Sequence, residues 1–258
     1  MIKSMDSHPQ IIPLENVPMV ENGDDLSLVI RKSLDDQSIS LQEDDVVCIA
    51  QKIVSKAENR LVNLADVIPS KEAIELAGET EKDPRLVELI LRESDEIMRK
   101  KPGVLIVRHR LGIVGANAGI DQSNIDHQDG EHALLLPENP DASAQRLRST
   151  LGDYYNVNLG VLITDSHNRP WRLGTIGSAI GSAGLKVLDD HRGGTDLYGR
   201  ELKVTLINRA DAIAAIATLY MGETIEKIPV VIFRGNTMSS DEDSAQMINR
   251  PLEEDLFR

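Results

Sequence analysis

The stretch GANAGIDQSN (115–124) sets one carboxylate, Asp121, among small and amide side chains. Glycines let backbone approach a ligand with no Cβ in the way. Asp121 supplies a hard anionic oxygen, and Asn117, Ser123 and Asn124 supply neutral donors and acceptors beside it. That is the composition of a metal and phosphate pocket; the plainer alternative is an Asx-turn that only bonds nearby backbone. A second carboxylate, Asp165, closes the apolar run GVLITD and is followed by SHNRPWR, so an acid and a hydroxyl, Ser166, leave a strand end beside Arg169 and Arg172. Ligands in α/β folds collect at such ends; the alternative is a helix or turn cap. Two Asp side chains and hydroxyls suit Mg²⁺ or Mn²⁺, hard ions that usually bridge phosphates rather than sit in an all-protein cage. Glu223, in MGETIEKIP, is a third acid able to complete the set.

The chain has 28 Lys+Arg against 42 Asp+Glu, a net charge of −14, so its overall field repels nucleic acid and anionic membrane surfaces. Any anionic ligand therefore needs cations placed locally. QKIVSK offers Lys52 and Lys56 directly after a strand, where two ammonium groups meet phosphates or, as lone lysines more often do, face solvent. GTIGSAIGSAG matches neither a dinucleotide fingerprint nor a Walker A loop, and reads as tight backbone packing or a substrate-facing loop. DDHRGGTDLYGREL carries Asp196, Tyr198, Arg192 and Arg200, either to orient an anionic substrate or to form a buried ion-pair network. The six histidines are scattered with no H-x-x-x-H or C-x-x-C spacing, His127 and His132 bracketing a turn-like QDGE. No G-x-S-x-G elbow occurs, and the single cysteine, Cys48, lies inside VVCIA as a buried, inert thiol.

These residues need a frame. Hydrophobic residues are 41% but aromatics only 3%, so the core is built from Val, Ile, Leu and Ala. Strands are expected at 46–50, 104–109, 160–165, 202–208 and 228–233, where β-branched runs end in polar or turn residues. Helices are expected at 71–78, at 84–100 with Pro84 in its first turn, at 142–151 with Asp141 as N-cap, and at 210–222, apolar nearly all round and so buried, with Gly222 as its stop. The sum is a mixed α/β (α+β) protein. The start MIKSMDSHPQ has no apolar signal core and no run reaches the ~20 apolar residues of a membrane helix, so a cytoplasmic protein without membrane or nucleic-acid partners is expected. Residues 236–258 form an acidic, polar tail, either mobile or carrying a short helix over a site.

Seven blocks, GDDL (23–26), QKIVSKAENR (51–60), NAGIDQSN (117–124), LLLPENPDASAQRLR (134–148), LITDSHNRPWRLGTIGSAIG (162–181), DLYGRELKVT (196–205) and MGETIEKIPVVIFRG (221–235), together resemble the γ-glutamyl ligase family that adds L-glutamate to the precursor of the deazaflavin coenzyme F420. The resemblance runs over roughly residues 12 to 235 and implies one ligase module over 1–235, without the flavin-binding second domain of some bacterial relatives. It implies GTP as co-substrate, Mn²⁺ or Mg²⁺ (two ions) with K⁺ as a further candidate, and an acyl phosphate that the amine of glutamate attacks. Carried over by motif, Asp121, Asp165, Ser166 and Glu223 resemble the metal ligands. Val17, Pro18, Met19, Val20, Gln51, Lys52, Lys56, Asn124 and the loop Met221, Gly222, Glu223, Thr224, Ile225, Glu226, Lys227 and Ile228 resemble the nucleotide-binding positions. Asp121, Asp165, Lys52 and Lys56 are the catalytic candidates. Ser166 stands where Thr is frequent and keeps the oxygen; Asn16, Asn59 and Asn168 stand where Gly is usual, and Asn tolerates φ > 0. Two closely associated lobes and an intertwined homodimer are expected on the same ground.

Overall fold

The computed structural model describes residues 8–127, 130–235 and 243–256. In chain order it contains β1 (Gln10–Pro13), α1 (Leu26–Asp36), β2 (Val46–Ala50), α2 (Gln51–Ala57), β3 (Leu61–Asn63), α3 (Lys71–Thr80), α4 (Pro84–Arg92), β4 (Ser94–Lys101), β5 (Val104–His109), β6 (Val114–Ala116) and β7 (His132–Leu134). Then follow α5 (Pro140–Tyr155), β8 (Gly160–Asn168), β9 (Thr175–Ala183), β10 (Leu188–Asp190), β11 (Leu206–Asn208), α6 (Arg209–Met221) and β12 (Val230–Arg234). The fold is mixed α/β, as the alternating element types imply.

The central sheet has the order β1-β12-β2-β8-β9, and within it only β2 and β8 run parallel. Because strand side chains alternate faces, Val47, Ile49, Val161, Ile163, Val230 and Ile232 pack with α1 and α5 on one side. Val46, Cys48, Leu162 and Val231 pack with α6 on the other. Cys48 is buried as expected, and burial pushes its thiol up to about 12. The run GTIGSAIGSAG is β9, a strand and not a loop. A Cβ on Gly177 would come within 2.4 Å of the Ala214 carbonyl oxygen, and one on Gly181 within 2.5 Å of that of Pro140. The glycines are there so that α6 and the start of α5 can lie against the sheet.

A separate hydrophobic cluster joins α3 and α4 to the sheet β4-β5-β6, with Leu76, Val87, Ile90, Leu105 and Val107 at its centre. Here the helix expected over 84–100 is corrected. It ends at Arg92, and 94–101 form β4. After Leu91 only the adjacent Ile97 and Met98 are apolar, too few for a helical stripe, while exposure alternates with the period of a charged edge strand. The break falls at Glu93. Its carboxylate accepts from Arg60 Nη2 at 2.9 Å and Arg110 Nη2 at 3.1 Å, with His109 Nε2 at 3.5 Å.

Other expectations are corrected too. Asn139, not Asp141, caps α5, accepting from the Ala142 amide; Asp141 instead accepts from the Ser182 and Ala245 amides and the Ser244 hydroxyl. The strand expected over 202–208 is only Leu206–Asn208. The segment 190–200 is exposed rather than a buried network, with Arg192 pairing Asp190 in solvent and Tyr198 95% exposed. Helix α6 buries one face only: Leu219 is 80% and Tyr220 44% exposed. Asn16 and Asn59 do adopt positive φ, 55° and 56°; Asn168 ends β8 in extended backbone. Of the turn expected between His127 and His132, Gln128 and Asp129 lie outside the described residues; the Gly130 amide donates to the His127 carbonyl at 3.1 Å. In the tail, short 3-10 turns at Ala245–Ile248 and Leu252–Glu254 are present; 236–242 and 257–258 lie outside the described residues, as does the start MIKSMDS.

Against the cost of burial, the adjacent His109 ring and the Arg60 and Arg110 charges hold the Glu93 carboxyl down to about 2. A depressed carboxyl contributes stability that is full above its unfolded value near 4.5 and is lost as pH falls toward 2. Glu93→Gln should cost about 3 kcal/mol at pH 7. In urea titrations followed by circular dichroism, the gap from wild type should close between pH 4.5 and 2; a gap unchanged at pH 2 refutes the ionic origin.

Candidate functional site

Pairing of β2 with β8 ends at Ala50 opposite Thr164, so Gln51 and Lys52, which follow β2, stand beside Asp165, the next residue along β8. A register shift between Ile163 and Thr164, with β9 contributing one extra residue, turns the end of β8. Beyond it Asp165 is 14% exposed. Its Oδ1 accepts from the Ser166 amide at 2.8 Å, and His167 Nε2 stands 3.4 Å from its Oδ2. Ser166 Oγ donates to Glu223 Oε2 at 3.1 Å, so two of the residues singled out on opposite sides of α6 in the sequence meet.

Asp121 is delivered by the smaller cluster. Its amide and carbonyl bridge Leu134 on β7, at 3.0 and 2.8 Å, which fixes its backbone. Before it, Asn117, Ala118 and Gly119 all have positive φ, 54°, 55° and 66°. For Ala this costs on the order of 1 kcal/mol, and burial of Ala118 in the α4–β5 cluster holds it there. Asp121 Oδ1 accepts from the Ser123 amide and hydroxyl, both at 2.7 Å. The Asx-turn is therefore present, and it does not exhaust the carboxylate: Oδ2 is 2.6 Å from Lys52 Nζ. Lys52 also donates to Ser123 Oγ at 3.1 Å, and Lys56 donates to the Asn124 carbonyl at 3.0 Å. Helix α2 thus brings both lysines against the 121–124 loop, rather than into solvent.

Charge organises this cleft. Burial raises the Asp165 carboxyl above the ordinary range, with Asp121 adding to the rise and His167 and Lys52 opposing it. Asp165 therefore lies within electrostatic reach of both Asp121 and Lys52. Asp121 goes the other way: burial works against its charge, but hydrogen bonds from Lys52 and Ser123 bring its carboxyl below the usual value. Burial and the neighbouring Lys52 lower Lys56, with Asp126 opposing. Among the described residues no three His, Cys, Asp or Glu side chains converge into a ready cage. The donors are two carboxylates, a hydroxyl paired with a third carboxylate, and two lysines, an all-oxygen set with cations alongside. Such a set fits a hard divalent ion completed by phosphate oxygens.

The other nucleotide candidates divide by what their side chains touch. Val17 and Val20 are buried in the core beneath α1 and anchor a loop that exposes Pro18 and Met19. The Gly23 amide then ties that loop to the Ala57 carbonyl at 3.1 Å. Gln51 is buried and accepts from Ser55 Oγ within α2. Met221 is buried under β8, with Thr164 Oγ1 3.7 Å from its sulfur, while Ile228 packs on the same cluster. Gly222 ends α6 at φ 72°, Glu226 folds back onto the Thr224 amide and hydroxyl, Lys227 has φ 57°, and Ile225 is 85% exposed. Loops 17–20 and 222–227 therefore offer mainly backbone. Sequence reasoning missed His167; it stands two residues beyond Asp165, where a strand repeats its face, and that spacing is the signal that points to it. Ser123, expected as a neutral donor beside Asp121, closes the Asx-turn there.

The fold and this cleft describe a mixed α/β protein whose lysines and oxygen donors gather at the carboxyl ends of a parallel strand pair. Residues 15–235 match the family described as F420-0:Gamma-glutamyl ligase. The chain is 44% identical over 251 residues to a Coenzyme F420:L-glutamate ligase of Methanopyrus kandleri, covering 96% of each chain. It is 43% identical to the protein of that name from Methanothermobacter thermautotrophicus, covering 96% of this chain and 98% of that one, and 40% identical to that from Methanocaldococcus jannaschii, covering 96% of each. The chain belongs to the F420-0:gamma-glutamyl ligase family.

Lys52→Met removes the closest cation from Asp121 and should raise its carboxyl from its depressed value. Carboxyl-carbon NMR titration checks this; an Asp121 that titrates as in wild type would show that Ser123 alone holds it.

Proposed function

We propose that the chain is a GTP-dependent ligase that joins L-glutamate through an amide bond to a carboxylate of the deazaflavin coenzyme F420 precursor, releasing GDP and phosphate. The observation that carries this reading is the meeting of Lys52 with Asp121, of Lys56 with the Asn124 carbonyl and of Ser166 with Glu223, in a chain of this family. The relatives' names give the acceptor and the amino acid.

The chemistry follows from what a carboxylate lacks. Its leaving group would be oxide, so the acceptor carboxylate oxygen first attacks the γ-phosphorus of GTP, the bond to the β–γ bridging oxygen breaks, and GDP departs. The glutamate amine then attacks the carbonyl carbon of the acyl phosphate, gives up its proton, and phosphate leaves. Asp121, Asp165, Ser166 and Glu223 are the residues to hold Mn²⁺ or Mg²⁺, in one or two ions. Such an ion neutralises charge on the transferred phosphoryl group. Lys52 and Lys56 bring two further positive charges to an otherwise acidic molecule. The loops at 17–20 and 222–227, with Gln51 and Asn124, frame the nucleotide by backbone. K⁺ remains a candidate third ion.

A homodimer belongs to the same reading. Its support is the uncovered apolar side of α6, where Leu219 and Tyr220 stand out, and the exposed Leu206 and Ile207 of β11. Two lobes match the separate core of α3, α4 and β4–β6, within one ligase module over 1–235. A cytoplasmic setting fits the one buried, unpaired thiol; among the described residues no helix is long and apolar enough to cross a membrane.

Mass spectrometry of the protein incubated with GTP, Mn²⁺, L-glutamate and the unglutamylated precursor should show a product heavier by one or more glutamyl units, dependent on all four. An unchanged precursor with GTP consumed would move the acceptor to another carboxylate. Asp165→Asn should lower turnover by about a hundred- to a thousandfold, the range seen when a group acting on transition-state charge is removed, with thermal stability kept. Near wild-type turnover at saturating Mn²⁺ would remove Asp165 from the site. In the protein without metal, the Asp165 carboxyl should titrate above its ordinary value in carboxyl-carbon NMR, and added Mg²⁺ should bring it down; a titration that Mg²⁺ leaves unmoved would argue against metal at Asp165.

A further inference from the structure

Outside the cleft, the C-terminal residues 243–249 fold back onto the sheet and are held at three points. Asp243 Oδ2 accepts from the Val187 amide at 3.2 Å. The Asp141 carboxylate accepts from Ser244 Oγ at 2.6 Å and from the Ala245 amide at 3.1 Å. Asn249 Nδ2 donates to the Leu111 carbonyl at 2.9 Å. So fastened, Ile248 and Asn249 close one side of a cavity of about 500 Å³ whose other walls are β9, the first turns of α6 and the approach to β6.

Three observations say what this cavity is for. It opens at the end of β8, where His167 lines it while standing 3.4 Å from Asp165, so its contents lie next to the carboxylate of the candidate site. Its volume is of the size that holds a drug-like ligand and exceeds what one amino acid fills. Its charge is also suited to an anion. The one acid in its lining, Asp211, is committed to the fold, accepting from the Ala179 amide at 2.8 Å and Asn208 Nδ2 at 2.6 Å. The exposed Arg169 in the same lining has no ion-pair partner among the described residues. Ile176, Ile180 and Ile248 add apolar surface beside the neutral polar Asn168, Ser178 and Asn249.

We infer that this cavity receives the ring-bearing, carboxylate-carrying acceptor, with Arg169 facing its anionic arm, and that Ile248 and Asn249 of the C-terminal segment are specificity-determining positions for it. The inference rests on the ligase reading above. The tail is then a fixed wall of the acceptor pocket, built by Asp141 in the turn where α5 begins. Glutamate and nucleotide lie outside it, so changes in the wall act on acceptor affinity alone.

The test is calorimetric titration of the full chain with the unglutamylated deazaflavin precursor in the presence of GDP and Mn²⁺, with GDP affinity measured separately. Wild type should bind the precursor. Ile248→Trp, which fills the cavity, should weaken it by at least about tenfold. Asn249→Ala, which releases the wall from Leu111, should weaken it about three- to tenfold. Both should keep GDP affinity within about twofold, and in turnover the loss should appear in the KM for the acceptor, with kcat retained. Precursor binding by Ile248→Trp equal to wild type overturns the wall and leaves the ligase reading standing. If wild type binds GDP but no precursor, the acceptor reading itself falls and takes the inference with it. Should Ile248→Trp lose GDP binding and its thermal transition together, Asn249→Ala and Ile248→Ala decide, and wild-type precursor affinity in both overturns the proposal.

Discussion

The parallel pairing of β2 with β8 is the constraint on which the site depends. Two parallel strands end at the same edge, and here those ends carry a helix with two lysines on one side and Asp165 on the other. An antiparallel pairing would have put them at opposite edges of the sheet. Everything that makes β2 and β8 central serves this placement: β12 and β9 flank them, and apolar side chains of alternating direction fill both faces. The backbone can then end in charges because its interior is secured by packing.

Asp121 enters from a part of the chain with its own core. Its position rests on a bridge to Leu134 and on three successive left-handed residues locked by burial of Ala118. Strain of this kind persists only where surrounding structure over-determines it. Glu93 does comparable work nearby, gathering Arg60, His109 and Arg110 where the sequence passes from α4 to β4. The two acids of the site respond oppositely, and Asp165, 14% exposed, is also the more deeply buried of the two, Asp121 being 29% exposed. Asp121 has Lys52 and Ser123 in contact and is lowered; Asp165 has only the more distant His167 and one amide, and is raised.

Gly177 and Gly181 show how thin the margin of this architecture is. Neither serves a turn; both are in β9, where another backbone arrives closer than any Cβ permits. That approach allows α6 to lie flat on the sheet and end at Gly222, setting Glu223 beside Ser166. The same helix leaves Leu219 and Tyr220 uncovered, which is why its nearly uniform apolar sequence does not mean uniform burial.

Local chemistry was legible in the sequence by itself. Short β-branched runs bounded by polar or turn residues give β2, β5, β8 and β12, Pro84 and Gly222 mark helix ends, and Asp121, Asp165 and the lysine pair declare themselves by residue type beside strand ends. These are properties of a few neighbouring residues, and the chain carries them wherever it folds. Tertiary structure decided what depends on distant partners. Residues 94–101 become a strand because β5 and the demands of Arg60 and Arg110 on Glu93 outweigh helical continuation. Asp141 serves the tail instead of its own helix, and Val17, Val20 and Met221 turn into the core while their loops present backbone. Lys52 meets Asp121 across 69 positions of sequence through an ion pair that neither segment contains alone. Long-range contacts of this kind are fixed by which surfaces bury one another, and a linear pattern of residue types holds no record of that choice.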